Sequence, residues 1–369
     1  TLLGHTNCEF FKYQLFQKVQ TSQNKPNLLR TCIRFEKFSF ALNRQEFIDM
    51  NSENIAFENI DRVMSLELQG SALPYGVKAA LYDAARTVHQ LPLAKEAAMI
   101  LNRAPCTIGI VTGAQVPDKM PLGENDGPLG SVILAKALKK LGHKIVFFTD
   151  IAAAEPIEKL LTWLNIEAEL VRLGPSDIDI QKEAAKTLDV GISVERLGSN
   201  PNGILYGATG VSRSSFRCNT DTIFNTLAAL GRPTIGIADG GNEIGCGKIR
   251  DIIIETLEKF NFADRTPCGG GIFSVVPTDV LVIATSSNLG CAGVTAALAL
   301  LNEDSSLCHK ESDERALIAK GVEFGLTDGG SGTVKAAVDG VPANVHASLV
   351  SIINAIVNRA LTTTAERDF

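Results

Sequence analysis

Two apolar rhythms alternate along the chain. Short unbroken apolar runs read as buried strands: Thr107-Ile-Gly-Ile-Val-Thr112, Lys144-Ile-Val-Phe-Phe-Thr149, Glu167 to Arg172, Val190 to Glu195, the run ending at Ile235 and Ile237, and Val280 to Ala284. Between them, recurrence at helical spacing predicts helices over Leu129 to Leu141, Ile157 to Leu164, Asp179 to Leu188, Ile223 to Leu230, Ile249 to Leu257, Gly293 to Leu301, Arg315 to Lys320 and Val345 to Leu361. Ahead of the first strand, Glu46 to Leu101 reads mostly helical, with Tyr75 to Arg86 and Leu93 to Leu101 as its clearest pieces and Pro92 near a helix start. Strand and helix in alternation predict an α/β fold, a mostly parallel, doubly wound sheet with an N-terminal helical segment. No fixed-period repeat or linker appears. The division expected is a leader or arm over residues 1–44 and one α/β domain over 45–369.

Composition changes this picture little. The chain has 369 residues, is 45% hydrophobic and 21% charged, and is enough for a large core. A formal net charge of -6 and the lack of a basic, aromatic-interleaved stripe argue against nucleic acid as a partner. The 8 cysteines form no Cys-x-x-Cys pair, which fits neither a disulfide scaffold nor a zinc site and suggests a reducing compartment. The longest uncharged stretch, Val280 to Asn302, is broken by Thr285-Ser-Ser-Asn-Leu-Gly290, so it reads as strand, loop and helix rather than a membrane span. Residues 1–44 carry seven Lys and Arg against Glu9 and Glu36. Such a basic leader resembles an organellar targeting segment; an arm packed on the body is the other reading.

The candidate chemistry gathers in loops beside strands. The richest is Ile235-Gly-Ile-Ala-Asp-Gly-Gly-Asn-Glu-Ile-Gly-Cys-Gly-Lys248, where Asp239, Asn242 and Glu243 stand among glycines between a strand and a helix. Open α/β sheets bind ligands there, since glycine exposes backbone N–H groups at a helix N-terminus. Carboxylates in that position call for a metal or an ammonium group. A second loop, Gly123-Glu-Asn-Asp-Gly-Pro-Leu-Gly130, offers Glu124 and Asp126, the latter also readable as a helix N-cap. Val194-Glu-Arg196 reads as a strand-end ion pair or a substrate contact. Ser287 and Asn288 fall at the carboxyl end of their strand, whereas Asp279 falls at the other end and suits a turn. Asp339-Gly340 reads as a hairpin turn. His346 reads as structural, and His89 and His143 as surface residues at helix ends.

Gly245-Cys-Gly-Lys248 lacks the upstream glycine and the Ser or Thr of a phosphate loop. No Gly-x-Ser-x-Gly elbow is present. No Gly-x-Gly-x-x-Gly follows the first strand, so a dinucleotide fold is not supported.

Together these motifs resemble the D-glutamate cyclase family. Gly123-Glu-Asn-Asp-Gly-Pro128 is similar to its acidic loop, Val194-Glu-Arg196 to its Glu-Arg strand end, and Asp239-Gly-Gly-Asn-Glu-Ile-Gly-Cys-Gly-Lys248 to its signature loop. Ser287-Asn288, Asp339-Gly-Val-Pro342, Ile60 to Glu67 and Tyr82 to Arg86 match further landmarks, over roughly Asp61 to Val357. The chain departs from the family at Leu289, Asn202 and the stretch Gly207 to Cys218, which bears on pocket shape and substrate preference. The resemblance implies a carbon-oxygen hydro-lyase converting D-glutamate to 5-oxo-D-proline and water, a divalent metal (manganese or magnesium), residence in the mitochondrial matrix with the cytoplasm as alternative, a homo-oligomer, a small-molecule substrate and no membrane.

On chemical grounds, ring closure needs a base to free the amine and a cation to neutralise the attacked carboxylate. The expectation is therefore a hard-oxygen metal cluster of Asp126, Asp239 and Glu243 with Glu124 beside it. Glu243, Asp239 and Lys248 are the expected catalytic groups, Glu243 being the candidate base. Arg196 or Lys248 is expected to pair with a substrate carboxylate, and Gly240, Gly241, Asn242, Ser287 and Asn288 to orient the rest. The alternatives are a metal-dependent lyase or hydrolase of another small amino or hydroxy acid, and a non-catalytic ligand sensor.

Overall fold

The computed structural model describes residues 54–68 and 73–362. The basic leader read over 1–44 lies outside them. The architecture below is that of the unit Ala56–Phe369.

Six strands form one sheet: β1 (Thr107–Val111), β2 (Lys144–Asp150), β3 (Glu169–Leu173), β4 (Val190–Val194), β5 (Thr234–Ala238) and β6 (Val280–Ile283). Every pair is parallel and the order is β3-β2-β1-β4-β5-β6. This is the strand order of dinucleotide-binding doubly wound sheets, present here without their glycine fingerprint. The missing fingerprint removes a phosphate cradle; it does not decide the strand order.

The helices are α1 (Val77–Val88), α2 (Leu93–Leu101), α3 (Pro128–Lys140), α4 (Ala154–Trp163), α5 (Ile178–Ala185), α6 (Asp221–Ala229), α7 (Arg250–Thr256), α8 (Ser287–Leu301), α9 (Glu311–Glu323) and α10 (Ala343–Leu361). A short antiparallel pair, β7 (Ala337–Val338) and β8 (Val341–Pro342), precedes α10. Alternate strand residues face opposite layers. Ile145 and Phe147 join the larger core with α1, α2, α3, α4, α8 and α10, while Val146 and Phe148 join the smaller one with α5 and α6. The larger layer is the more apolar because α8, running Ser287-Asn-Leu-Gly-Cys-Ala-Gly-Val-Thr-Ala-Ala, is buried along almost its whole length.

Helix α8 starts six residues earlier than the apolar run suggests. Its first turn is polar because Ser286 caps it, its hydroxyl accepting from Leu289 N at 3.3 Å. Helix α2 is capped from a distance. Asp61, fully buried, accepts Leu93 N at 2.6 Å and Ala94 N at 3.1 Å.

His89 and His143 are buried rather than superficial. His89 Nδ1 meets Glu96 at 2.6 Å and its Nε2 accepts from Leu281 N at 3.2 Å. His143 bridges Leu101 O and Cys106 N. Each ring joins a helix to the sheet, a use that helix-end position does not reveal. Among the described residues no helix is long and apolar enough to cross a membrane.

Candidate active site

The carboxyl rim of a parallel sheet is where its loops can converge, and the crevice opens where strand order reverses, here between β1 and β4. The loop after β1 brings Glu124 and Asp126, the residue after β4 is Glu195, and the loop after β5 brings Asp239 and Glu243. The loop after β6 brings Thr285, Ser286 and Ser287, and the turn between β7 and β8 brings Asp339.

Carboxylate oxygens of Asp126, Asp239 and Asp339 lie within 4.8 Å of one another, as do those of Glu195, Asp239 and Glu243. Asp239 belongs to both groups and joins them into one cluster. Asp126 and Glu243, read from separate stretches, therefore meet around the same residue. Glu124 stands beside the cluster, on the Asp339 side. A Cβ on Gly329 would come within 1.8 Å of its Oε2 and 2.9 Å of an Asp339 oxygen.

One cation enters the cluster directly. Lys78, on the buried side of α1 and 4% exposed, donates to the carboxylate of Asp239, to Thr285 O at 2.5 Å and to Asp339 Oδ2 at 3.4 Å. Burial works to strip its proton, but Asp239 and Asp339 outweigh that and hold its pKa above the usual lysine range. Lys78 is thus a fixed positive charge and not a base.

The carboxyls are displaced the other way. Burial, with the charge of Asp339, pushes Asp126 up to about 6 against the N–H donors of Asn288 and Ser287. Burial pushes Asp239 to about 6 against Lys78, helped by Glu243 and Asp126. Burial and Asp239 push Asp339 to about 7. Burial raises Glu243 too, opposed by N–H groups including that of Gly240, which its Oε1 accepts at 2.8 Å. Glu195 and Glu124 are raised well above the carboxylate range by burial and by the acids around them. Such clustering of like charges marks a site built for cations or for holding protons.

Two of these acids sit on backbone that side-chain-bearing residues rarely adopt. Glu195 has φ 50° and Asp339 has φ 51°. Asp339 and Gly340 make the two-residue hairpin turn that the sequence suggests. The same turn delivers the Asp339 carboxylate into the cluster, so a turn role and a site role coincide.

Asp126 does not cap its own helix α3, which Gly127 and Pro128 begin. Its carboxylate instead accepts Ser287 N at 2.9 Å and Asn288 N at 2.8 Å, at the N-terminus of α8. Asn288 returns the contact: its Oδ1 accepts Gly127 N at 3.0 Å and Gly130 N at 2.6 Å, and its Nδ2 donates to Asn125 O at 3.0 Å. Ser287 Oγ donates to Glu195 Oε2 at 2.6 Å. Asn242 donates to Tyr206 O at 2.8 Å. These side chains thus support the cluster through contacts within the protein. At Gly240 a Cβ would meet Asn242 Oδ1 at 2.7 Å and Glu243 Oε1 at 2.9 Å, and at Gly241 it would meet the Phe273 ring at 2.8 Å. These glycines let the loop fold back on itself and pack.

Two expected cations are placed elsewhere. Arg196 is 1% exposed, and its guanidinium is taken up by Asp150 (2.5 and 2.9 Å), Gly113 O, Cys218 O and Thr220. It ties β2, the loop after β1 and the chain before α6 together. Lys248 Nζ donates to Asp279 O at 2.9 Å, just before β6, at the amino rim of the sheet. Neither faces the cluster with a free donor. Lys78, Glu195 and Asp339 are the site residues that motif reading left out of the expected set. A lysine at the same helical spacing as Val77, Leu81 and Ala85, on an apolar stripe, was the available signal for the first.

Residues 75–354, more than half of the chain, match the family described as D-glutamate cyclase-like, C-terminal. The chain belongs to this family. It is also similar to the human protein named "D-glutamate cyclase, mitochondrial", with 25% identity over 273 residues. That alignment takes in 62% of this chain and 42% of the human protein, so the chain spans less than half the length of that relative. All six acids and Lys78 lie inside the matched stretch. The cyclase-like region therefore contains the whole constellation.

Proposed function

We propose that this chain catalyses the ring closure of D-glutamate to 5-oxo-D-proline and water. The observation that carries the reading is the meeting of Asp126, Glu195, Asp239, Glu243 and Asp339 at the rim of a cyclase-like sheet, with Lys78 as the cation in contact with them.

The reaction moves protons from nitrogen to oxygen. The α-ammonium loses two as it becomes the ring amide N–H, and the departing γ-carboxylate oxygen gains two and leaves as water. A C–N bond forms and a C–O bond breaks, with no change of oxidation state. Groups that hold protons near neutral pH suit both halves, and the raised carboxyls are such groups. Glu243, oriented by Gly240 N, is the proposed base, and Asp239 is its neighbour in proton traffic. Enclosing the substrate so that amine and γ-carboxylate meet removes much of the entropic cost of closure.

The donor set is all hard oxygen and carries more negative charge than Lys78 offsets, which fits a divalent ion such as manganese or magnesium. The Asp126/Asp239/Asp339 group already holds the Lys78 ammonium, so Glu195 and Asp239 are the favoured ligands, with Asp126 and Glu124 close by and Glu243 beside them kept for the proton. Such an ion supplies Lewis-acid neutralisation of the attacked carboxylate. The basic leader and the name of the human relative support mitochondrial residence.

The test is incubation with D- or L-glutamate and manganese, followed by chiral chromatography for 5-oxoproline. The expected result is 5-oxo-D-proline from D-glutamate, lost in Glu243→Gln. Binding of D-glutamate without product would instead support a ligand-sensing role.

A further inference from the structure

A substrate carrying two carboxylates needs a second anchor, away from the acids that act on the first. The arginine expected to serve is spent on Asp150, but another guanidinium lies near the cluster. Arg217 is 5% exposed and sits in the loop between β4 and α6. Its Nε donates to Gln115 O at 2.8 Å, in the loop after β1. Among the described residues, neither of its Nη groups has a hydrogen-bond partner, and no carboxylate comes within ion-pair distance of it. The forked donors of such an arginine, taken by no protein group among the described residues, are available to a ligand.

Arg217 and the half-buried Arg213 both feel the charge of Glu124, the acid beside the cluster. The backbone around them is tied down. Gln115 Nε2 donates to Phe216 O at 2.9 Å, Cys218 N donates to Asp150 at 2.7 Å, and Arg196 donates to Cys218 O at 2.5 Å. Gly207 leaves room for the Arg213 guanidinium, since a Cβ there would come 3.0 Å from its Nη2. Arg213 likewise makes no side-chain hydrogen bond or ion pair among the described residues.

We infer that Arg217, assisted by Arg213, binds the carboxylate of the substrate that does not react. Resting on the proposed function, this is the α-carboxylate of glutamate, because the amine and the γ-carboxylate are consumed in closing the ring. A planar guanidinium with adjacent donors suits a carboxylate in two-point contact. With the α-carboxylate on Arg217 and the γ-carboxylate at the acidic cluster, the amine can reach the base from only one hand of the α-carbon. Arg217 is then a determinant of substrate handedness.

The test uses the intact protein with manganese. Arg217→Gln is expected to raise KM for D-glutamate by about 10- to 100-fold, the worth of a charge-assisted hydrogen bond. It should also lower the ratio of D- to L-glutamate turnover, which loss of a merely structural contact would not do. Arg213→Gln is expected to raise KM less. Glutarate, which has both carboxylates and no amine, should stabilise the parent protein against heat and fail to stabilise Arg217→Gln, whose own melting curve reports whether it is folded. An unchanged KM and D/L ratio in a folded Arg217→Gln protein would overturn the inference while leaving the cyclase reading intact. If the parent protein makes no 5-oxoproline, the cyclase reading fails. The anchor is then judged by glutarate alone: stabilisation that depends on Arg217 supports it, and stabilisation absent from the parent or retained in Arg217→Gln overturns it.

Discussion

Lys78 and Asp239, separated by 161 positions in sequence, form a buried ion pair between α1 and the end of β5. The pair brings a helix that precedes the sheet into the chemistry at its rim. Lys78→Met keeps length and packing but leaves Asp239 and Asp339 without their ammonium. Removing one partner of a buried pair costs about 3–5 kcal/mol. The loss should be large at pH 8, where those acids must be charged, and smaller at pH 5, where both can hold protons. Chemical denaturation of parent and variant at the two pH values checks this. An equal loss at both would mean that Lys78 contributes packing alone.

The acid cluster predicts a second pH effect, in the metal-free protein. Asp126, Asp239 and Asp339 have folded pKa values raised to about 6, 6 and 7. Groups raised on folding contribute stability that is present below their unfolded values and lost as pH rises through the folded ones. The apo protein should therefore weaken between about pH 4 and 7, from the unfolded carboxyl value to the folded ones. Manganese should reverse the loss, with thermal shifts larger at pH 8 than at pH 5. Its affinity should fall about tenfold per pH unit below 6 for each proton displaced. Thermal melts across pH with and without manganese measure both.

Behind the rim, a buried chain runs from His309 through Glu314 and His346 to Ser286, the cap of α8. Glu314 meets His309 at 2.7 Å and His346 at 2.6 Å, and His346 Nε2 lies 3.0 Å from Ser286 Oγ. Burial opposes the Glu314 charge, but the hydrogen bonds from the two histidines hold its carboxyl well below the usual range. A depressed carboxyl contributes stability above its unfolded value, near 4.3, and loses it as pH falls through the folded one. Glu314→Gln should cost about 3 kcal/mol at pH 7. The difference from the parent should shrink in acid, as read by denaturant unfolding at pH 7 and pH 3.

The exchange of caps between Asp126 and Asn288 locks the N-termini of α3 and α8 together. Asn288→Ala leaves Gly130 N without its acceptor, while Gly127 N keeps Asp126 Oδ1 at 3.1 Å. The expected cost is about 1–3 kcal/mol, because a buried donor is left unsatisfied. The effect should fall mainly on stability, with KM little changed. A large rise in KM in a variant of unchanged stability would return Asn288 to a substrate-binding role.

The strand-helix alternation was legible because parallel strands buried on both faces give continuous apolar runs, as in Lys144 to Thr149. The acids of the two loops were legible because glycine-rich turns at strand ends have few structural reasons to carry several carboxylates. Lys78 was legible only as a lysine on the apolar stripe of α1, and the fold was needed to show that its ammonium reaches the acids. The roles of Arg196 and Arg217 were hidden for another reason. Both lie near the same loops, and only three-dimensional contacts show that Asp150 takes the first while no group among the described residues takes the Nη donors of the second. Asp339 illustrates a reading that stopped too soon: its turn geometry was visible, but the destination of its side chain was not.

The most direct measurement is anomalous diffraction at the manganese edge from crystals soaked in that ion. The account predicts a peak bound by Asp239 together with Glu195, absent in Glu195→Gln crystals of the same form. A peak that avoids Asp239, or no peak at manganese concentrations that support turnover, would contradict it.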